Sequence, residues 1–423
     1  MSFLDCSCIS THSQVQPVSC EDHYEDISGS YLSSDGSFFG ANDDLSSLSA
    51  DPADYQLLSV LGQGFNNLSQ VSMARHTPSG RLVAVKNTNL DECTEEELLQ
   101  LMNEALLSRL FRHPNLLTSR LVFSSCCQLW VLSPLMSYGS ADSLLRSFFP
   151  DGMSESLVAY LLYSVLNALK YLHHMGYIHR GVKASHVLLS AGGHVCLSGL
   201  ECVYSLMRDG KRMEVVFDMP QHKPSLLPWL SPSFLSLQDL HGYGVKSDIY
   251  SLGVLALELV SGRVPFQDMP PTLMLLQKLR GSLSCMLDGA PYALGEFSAL
   301  KVSRSGVDSG IGESVAAGSL TCTATAERPR SPAPKNHSAP FHNLLQLCLQ
   351  QQPERRPSAS ALLTHPFFKQ VKKHTPDSFL SLIYPAIPLS CPVDVSPSPP
   401  LLHTDTHTNT NQEPADGGVW DFS

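Results

Sequence analysis

The sequence predicts an α+β fold in two lobes, a small mostly-β lobe followed by a large mostly-α lobe, with disordered tails at both ends. Three observations predict it. Short β-branched and apolar runs crowd the first part of the patterned chain, at Tyr55–Leu61, Leu82–Lys86, Val122-Phe123 and Leu129–Leu132. A segment with apolar residues at helical spacing follows, at Leu157, Leu161, Leu162, Val165, Leu169 and Leu172. Stretches rich in Ser and acid at one end, and in Pro, Thr and Asn at the other, lack the apolar content to order themselves.

These boundaries divide the chain into residues 1–52, a disordered segment, 53–373, the folded domain, and 374–423, a disordered tail. A Ser-, Ala- and Pro-rich insert over 284–338 interrupts the large lobe. At 423 residues, 43% hydrophobic and 16% charged, the composition is that of a globular protein with polar appendages. The net charge of −11 argues against nonspecific binding to nucleic acid or to anionic membranes. Twelve cysteines without metal-like spacing, and no leader pattern before them, read as reduced thiols in a cytosolic setting. No apolar run is long enough to span a membrane. Cys6 and Cys8 are either acylation sites or plain thiols in a loose tail.

The glycine-rich turn Gly62-Gln63-Gly64-Phe65-Asn66-Asn67-Leu68 follows the first strand. Glycines there let backbone amides approach phosphates, although an ordinary turn between strands uses the same residues. The strand Leu82–Lys86 ends in a lysine, and a helix is predicted from Glu92 to Phe111, with an acidic first turn that suits its dipole. Leu98, Met102, Ala105, Leu106 and Leu110 recur along it at helical spacing. Glu104 is placed to pair with Lys86. Pro134 to Ser140 reads as a hinge whose backbone can hold an adenine. Ser154 caps the next helix and Gly176 lies beyond its end.

That helix leads into Ile178-His179-Arg180-Gly181-Val182-Lys183-Ala184-Ser185-His186. The stretch resembles the catalytic loop of protein kinases, H-R-D-L-x-x-x-N, and the strand ending in Lys86 resembles their V-A-I-K strand. In kinases the loop Asp accepts the substrate proton and the Asn holds a magnesium ion. Here Gly181 and His186 stand at those positions. Glycine has no side chain, and imidazole suits a hard, oxygen-seeking ion poorly. After the hairpin Val187–Leu189 and Val195–Leu197, Gly199-Leu200-Glu201 replaces Asp-Phe-Gly, so the second metal carboxylate is missing. Glu201, two positions later, is expected to point elsewhere. The chain thus predicts no catalytic residue and no metal site. Ser233 removes the glutamate that normally pairs with a buried arginine, here Arg356, which then needs another partner. Asp248 is expected to brace the catalytic-loop backbone.

Within the insert, Ser309 and Ser314 form a possible phosphodegron, in which two phosphates would add about −3 to −4 charge; a flexible polar loop is the other reading. His403-Thr404-Asp405-Thr406-His407 is either a metal-recruiting or a solvated stretch. Trp420, Asp421 and Phe422 near the terminus have the composition of a short docking peptide.

Together these motifs resemble the sterile-twenty-related adaptor (STRAD) pseudokinases. Four carry the resemblance: Gly-x-Gly-Phe-x-Asn-Leu, His-Arg-x-x-Lys-Ala-Ser-His, Leu-Ser-Gly-Leu, and Gln-Asp-Leu-His-Gly-Tyr at Gln238–Tyr243. The Ser-Gly-Val-Asp-Ser-Gly insert points to the beta paralogue. The resemblance implies an allosteric activator of a client Ser/Thr kinase, liver kinase B one, assembled with a helical-repeat scaffold, mouse protein twenty-five. It implies a cytoplasmic and nuclear distribution, with the client favoured in the cytoplasm. ATP would bind without normal magnesium coordination, at Gly62, Gly64, Lys86 and Glu104. Trp420, Asp421 and Phe422 would dock in the scaffold, and Ser423 after them would weaken that docking if the scaffold reads a terminal carboxylate. The alternative reading is a weak or unconventional ATP-dependent protein kinase that uses Lys86.

Overall fold

The computed structural model describes residues 48–65, 67–217, 226–232, 242–267, 269–280, 337–373, 376–389 and 420–422. The insert with Ser309 and Ser314, the N-terminal Cys6 and Cys8, the 403–407 stretch and Ser423 lie outside these residues, as does Ser233. Strands β1 (Tyr55–Gly64), β2 (Ser69–His76) and β3 (Leu82–Asn89) run antiparallel. Helix α1 (Glu95–Leu110) follows, then β4 (Leu121–Ser125) and β5 (Gln128–Pro134). The sheet order is β1-β2-β3-β5-β4, with a short C-terminal strand added beyond β1. Alternation along β3 buries Val83 and Val85 against Tyr55, Trp130 and Leu132 on one face. Ala84 and Lys86 face the cleft on the other.

Helix α1 begins three residues after the predicted start because Thr94 and Glu97 form a reciprocal capping box. Its apolar residues form two stripes. Leu101 and Leu107 turn inward, whereas Leu99, Met102, Leu106 and Leu110 face solvent, Leu106 at 66% exposure. The sequence periodicity merges the two stripes into one, so Met102, Leu106 and Leu110 are not core.

The large lobe opens with β6 (Gly139–Ser140) and α2 (Ala141–Phe148), a helix directly after the predicted hinge that the sequence reading does not assign, capped by the Ser140 hydroxyl. Helix α3 (Glu155–His174) takes the predicted Ser154 cap, and α4 (Val245–Ser261) packs beside it. From Asp248 to Val260 every residue of α4 is buried, which explains its apolar character all round. Between α3 and α4 come β7 (Tyr177–Ile178), β8 (Val187–Leu189), β9 (Val195–Leu197), β10 (Tyr204–Ser205), β11 (Met207–Arg208) and β12 (Lys211–Arg212). Helices α5 (Pro271–Arg280), α6 (Ala339–Cys348) and α7 (Ala359–Leu362) follow.

Folded chain begins before residue 53, since Leu48 packs on the small-lobe core and the Tyr55 hydroxyl donates to the Ser49 carbonyl. It also continues past the predicted end at 373. Helix α8 (Pro376–Ile383) follows, Ile383 is fully buried, and the Leu389 amide donates to the Ser137 carbonyl at the hinge, 2.8 Å. Residues 376–389, which the sequence reading places in a disordered tail, are therefore part of the folded structure. Last, β13 (Trp420–Phe422) pairs in parallel with β1.

Candidate functional site

The cleft between the lobes holds a cavity of about 550 Å³, counted to its open mouth. Leu61, Val71 and Ala84 form its roof, Leu188 its floor, and Met136 its back at the hinge. Two apolar shelves with backbone behind them suit a flat heteroaromatic base. Lys86 lies deeper, and its Nζ donates to both Glu104 oxygens, at 3.1 and 3.0 Å. The strand and helix thus bring together the pair that the sequence joins by spacing alone. Burial acts to lower the Lys86 pKa, but the Glu104 and Glu201 carboxylates outweigh it and hold it above its ordinary value.

The glycine-rich turn is folded inward. Phe65 is fully buried at a positive φ of 49°, with Lys86 Nζ 5.6 Å from its ring centroid. Asn67, which replaces a glycine of the kinase pattern, also has a positive φ, 66°. Asn tolerates that conformation better than most residues, so the substitution preserves the turn.

The loop below is held rigidly. Asp248 Oδ2 accepts from the His179 amide at 2.9 Å and pairs with His173 Nε2 at 2.7 Å, while Oδ1 accepts from the Arg180 amide at 2.9 Å. Burial alone would raise the Asp248 pKa; the bond and charge of His173, with His179, bring it below the ordinary carboxylate value. Arg180, at φ 63°, stacks on Tyr204 and donates from Nε to the Cys202 carbonyl. This is the brace expected of Asp248.

At the chemical positions the arrangement differs. His186 is fully buried, and its Nδ1 lies 2.6 Å from the Gly181 carbonyl. Since a carbonyl only accepts, Nδ1 carries the proton. Burial first, then the Lys183 charge, push its pKa down to about 3, so the ring is neutral. Gly199 adopts φ +85°, and a Cβ there would come within 2.7 Å of His186 Cε1 and closer still to Nδ1. A Cβ on Gly181 would lie 3.0 Å from Cys202 Sγ. The imidazole occupies the space that side chains at these positions would need.

Glu201 corrects an expectation. The left-handed Gly199 starts a tight turn at Leu200–Cys202, which returns Glu201 to the cleft. It is buried, lines the cavity, and lies 3.9 Å from His186 Nε2, beyond hydrogen-bond range. A turn set by one backbone dihedral leaves no signal in side-chain periodicity. Among the described residues, no cluster of three or more His, Cys, Asp or Glu could hold a metal ion. Arg356, 1% exposed, donates to the carbonyls of Gln350, Lys246 and Gln351 and stacks on Tyr250. Backbone oxygens thus give Arg356 the partners it requires.

The fold and the site define a protein kinase domain in whose cleft Gly181, His186 and Gly199 pack together. The protein kinase domain family matches residues 55–368. Human STE20-related kinase adapter protein beta is 49% identical over 390 residues, covering 91% of this chain and 93% of that protein. Human STE20-related kinase adapter protein alpha is 43% identical over 352 residues, covering 83% and 81%; the chicken alpha protein is 45% identical over 346 residues, covering 82% and 88%. The chain belongs to the STE20-related kinase adapter family.

Proposed function

We propose that this chain is a catalytically inactive pseudokinase adaptor that binds and allosterically activates a client Ser/Thr kinase. The observation that carries the proposal is the buried, neutral His186 packed between Gly181 and Gly199. The base position has no side chain, and the metal position has a ring whose Nδ1–H already serves the Gly181 carbonyl. Phosphoryl transfer is chiefly positioning and charge stabilisation, and without a base or metal ligand at these positions Lys86 alone supplies only part of it.

The client is liver kinase B one and the scaffold mouse protein twenty-five, as the resemblance implies, with the complex favouring the client in the cytoplasm. The outward stripe Leu99, Met102, Leu106 and Leu110 supports a binding role. Burying one such side chain is worth about 1.5–3 kcal/mol, so the stripe is a strong place for a partner protein to cover. ATP fits the cavity in the sense that its base would lie between Leu61 and Leu188 and its phosphates would meet Lys86. The nucleotide would supply charge and lobe closure, which stabilises whichever conformation binds it better.

Glu201 in the cleft favours a second reading, a weak kinase using this carboxylate and Lys86. Reconstitution separates the two. The purified chain, the client and the scaffold are mixed, and phosphorylation of a client peptide substrate is measured with active and catalytically dead client. Activity that rises with the adaptor and disappears with the dead client supports allosteric activation. Activity that persists with the dead client makes the chain itself an enzyme.

A further inference from the structure

We infer that the Trp420–Phe422 segment has a seat within its own chain, the edge of β1 at the glycine-rich turn, and that it straps the mouth of the cleft when seated there. The register pairs Gly62 with Trp420, Gln63 with Asp421 and Gly64 with Phe422. Without β13, β1 is the outer strand of the small-lobe sheet. An open strand edge offers unpaired amides and carbonyls to any extended segment, and strand addition satisfies them. The backbone of β13 also approaches β6, α2 and the 184–186 turn of the large lobe. Three residues therefore bridge both lobes beside Phe65, which lies buried over Lys86.

The tether makes this seat reachable. Leu389 is anchored to the hinge through Ser137, and Met136 and Leu61, neighbours of Ser137 and Gly62, line one cavity. The 31 residue steps from Leu389 to Trp420 could reach at most roughly 100–110 Å fully extended, so the covalent connection allows Trp420 to lie on β1. Because the segment belongs to the same chain, its binding to the edge is intramolecular and independent of protein concentration. A modest affinity of the strand for the edge is then enough to seat it.

The consequence rests on the scaffold-docking role proposed for the same three residues. Their backbone cannot be seated on β1 and held by another protein at once. Scaffold docking would lift the strap and expose the glycine-rich turn, and the affinity for scaffold would be reduced by the fraction of tails seated in cis.

The test is hydrogen–deuterium exchange of a peptide covering residues 60–65. The full chain is compared with a chain ending at Val419, alone and with synthetic Gly-Val-Trp-Asp-Phe-Ser added at millimolar concentration. Removal of four terminal residues should raise exchange at Gly62–Gly64 several-fold, the added peptide should restore protection, and neither result should depend on protein concentration. Unchanged exchange on truncation would overturn the inference. So would protection of the full chain that grows with its concentration, since the strand would then come from a second copy. Scaffold added to the full chain should reproduce the truncated pattern. If truncation exposes the turn and scaffold does not, the seat stands and the scaffold-docking role is wrong.

Discussion

Substituting Gly199 with Asp introduces the residue that a catalytic kinase carries at this position. In this fold the new side chain has nowhere to go. The φ of +85° is a left-handed conformation, which costs an L-residue roughly 1–2 kcal/mol. The Cβ lies within 3.0 Å of three His186 ring atoms, and overpacking of a filled interior costs about 1–3 kcal/mol more. The expected loss is therefore about 2–5 kcal/mol, the sum of these two terms. In a His186→Asn background the ring is gone and only the backbone term remains, which leaves a coupling of about 1–3 kcal/mol in a double-mutant cycle. The assay is urea denaturation of wild type, Gly199→Asp, His186→Asn and the double variant, read as midpoint shifts at constant slope. A Gly199→Asp cost under about 1 kcal/mol, or a cost unchanged by His186→Asn, would refute the claim that His186 occupies that space. Any attempt to restore catalysis must accordingly change His186 together with Gly181 and Gly199.

Three further outcomes are expected. Glu258 accepts from Trp229 Nε1 at 2.8 Å and from the Ala184 amide at 3.2 Å, and burial raises its pKa to about 8 from 4.5. A raised acid contributes stability that is full below pH 4.5 and is lost as pH rises toward 8, at about 1.4 kcal/mol per unit. Glu258→Gln keeps the acceptor and removes that slope, so its stability relative to wild type should improve from pH 5 to pH 8; parallel pH profiles from thermal melts would contradict this. Asp248→Ala removes the acceptor of two backbone amides and the His173 partner, and should cost about 3–5 kcal/mol in denaturant unfolding. Leu106→Glu on the outward stripe of α1 should change stability by less than about 0.5 kcal/mol, as for an isolated surface site, yet abolish partner capture in a pull-down; retained capture would show that this face is not used.

Much of the site is legible before folding because it depends on residue identity at short, fixed offsets. Gly181 directly after Arg180 and His186 five positions later are read straight from the sequence. Lys86 ends a strand and Glu104 lies mid-helix, and their pairing follows from the order of those elements. Ser154 caps α3 through its own geometry. The inward fold of Phe65, the return of Glu201 and the backbone partners of Arg356 were not legible, because each depends on one backbone dihedral or on a distant carbonyl.

What the sequence determined by itself, then, is the order of the small-lobe strands with α1 and α3, and the identity of the residues at 181, 186 and 199. Both are local properties, set by patterning and by identity. The tertiary structure alone decided which of the two apolar stripes of α1 faces the core, since periodicity reveals that a helix is amphipathic but not what lies beside it. It also decided that His186 fills the space above Gly199, that residues 376–389 join the large lobe, and that the last strand lies on β1. Those depend on volumes and edges contributed by residues far apart in the chain, which meet only once the lobes have packed.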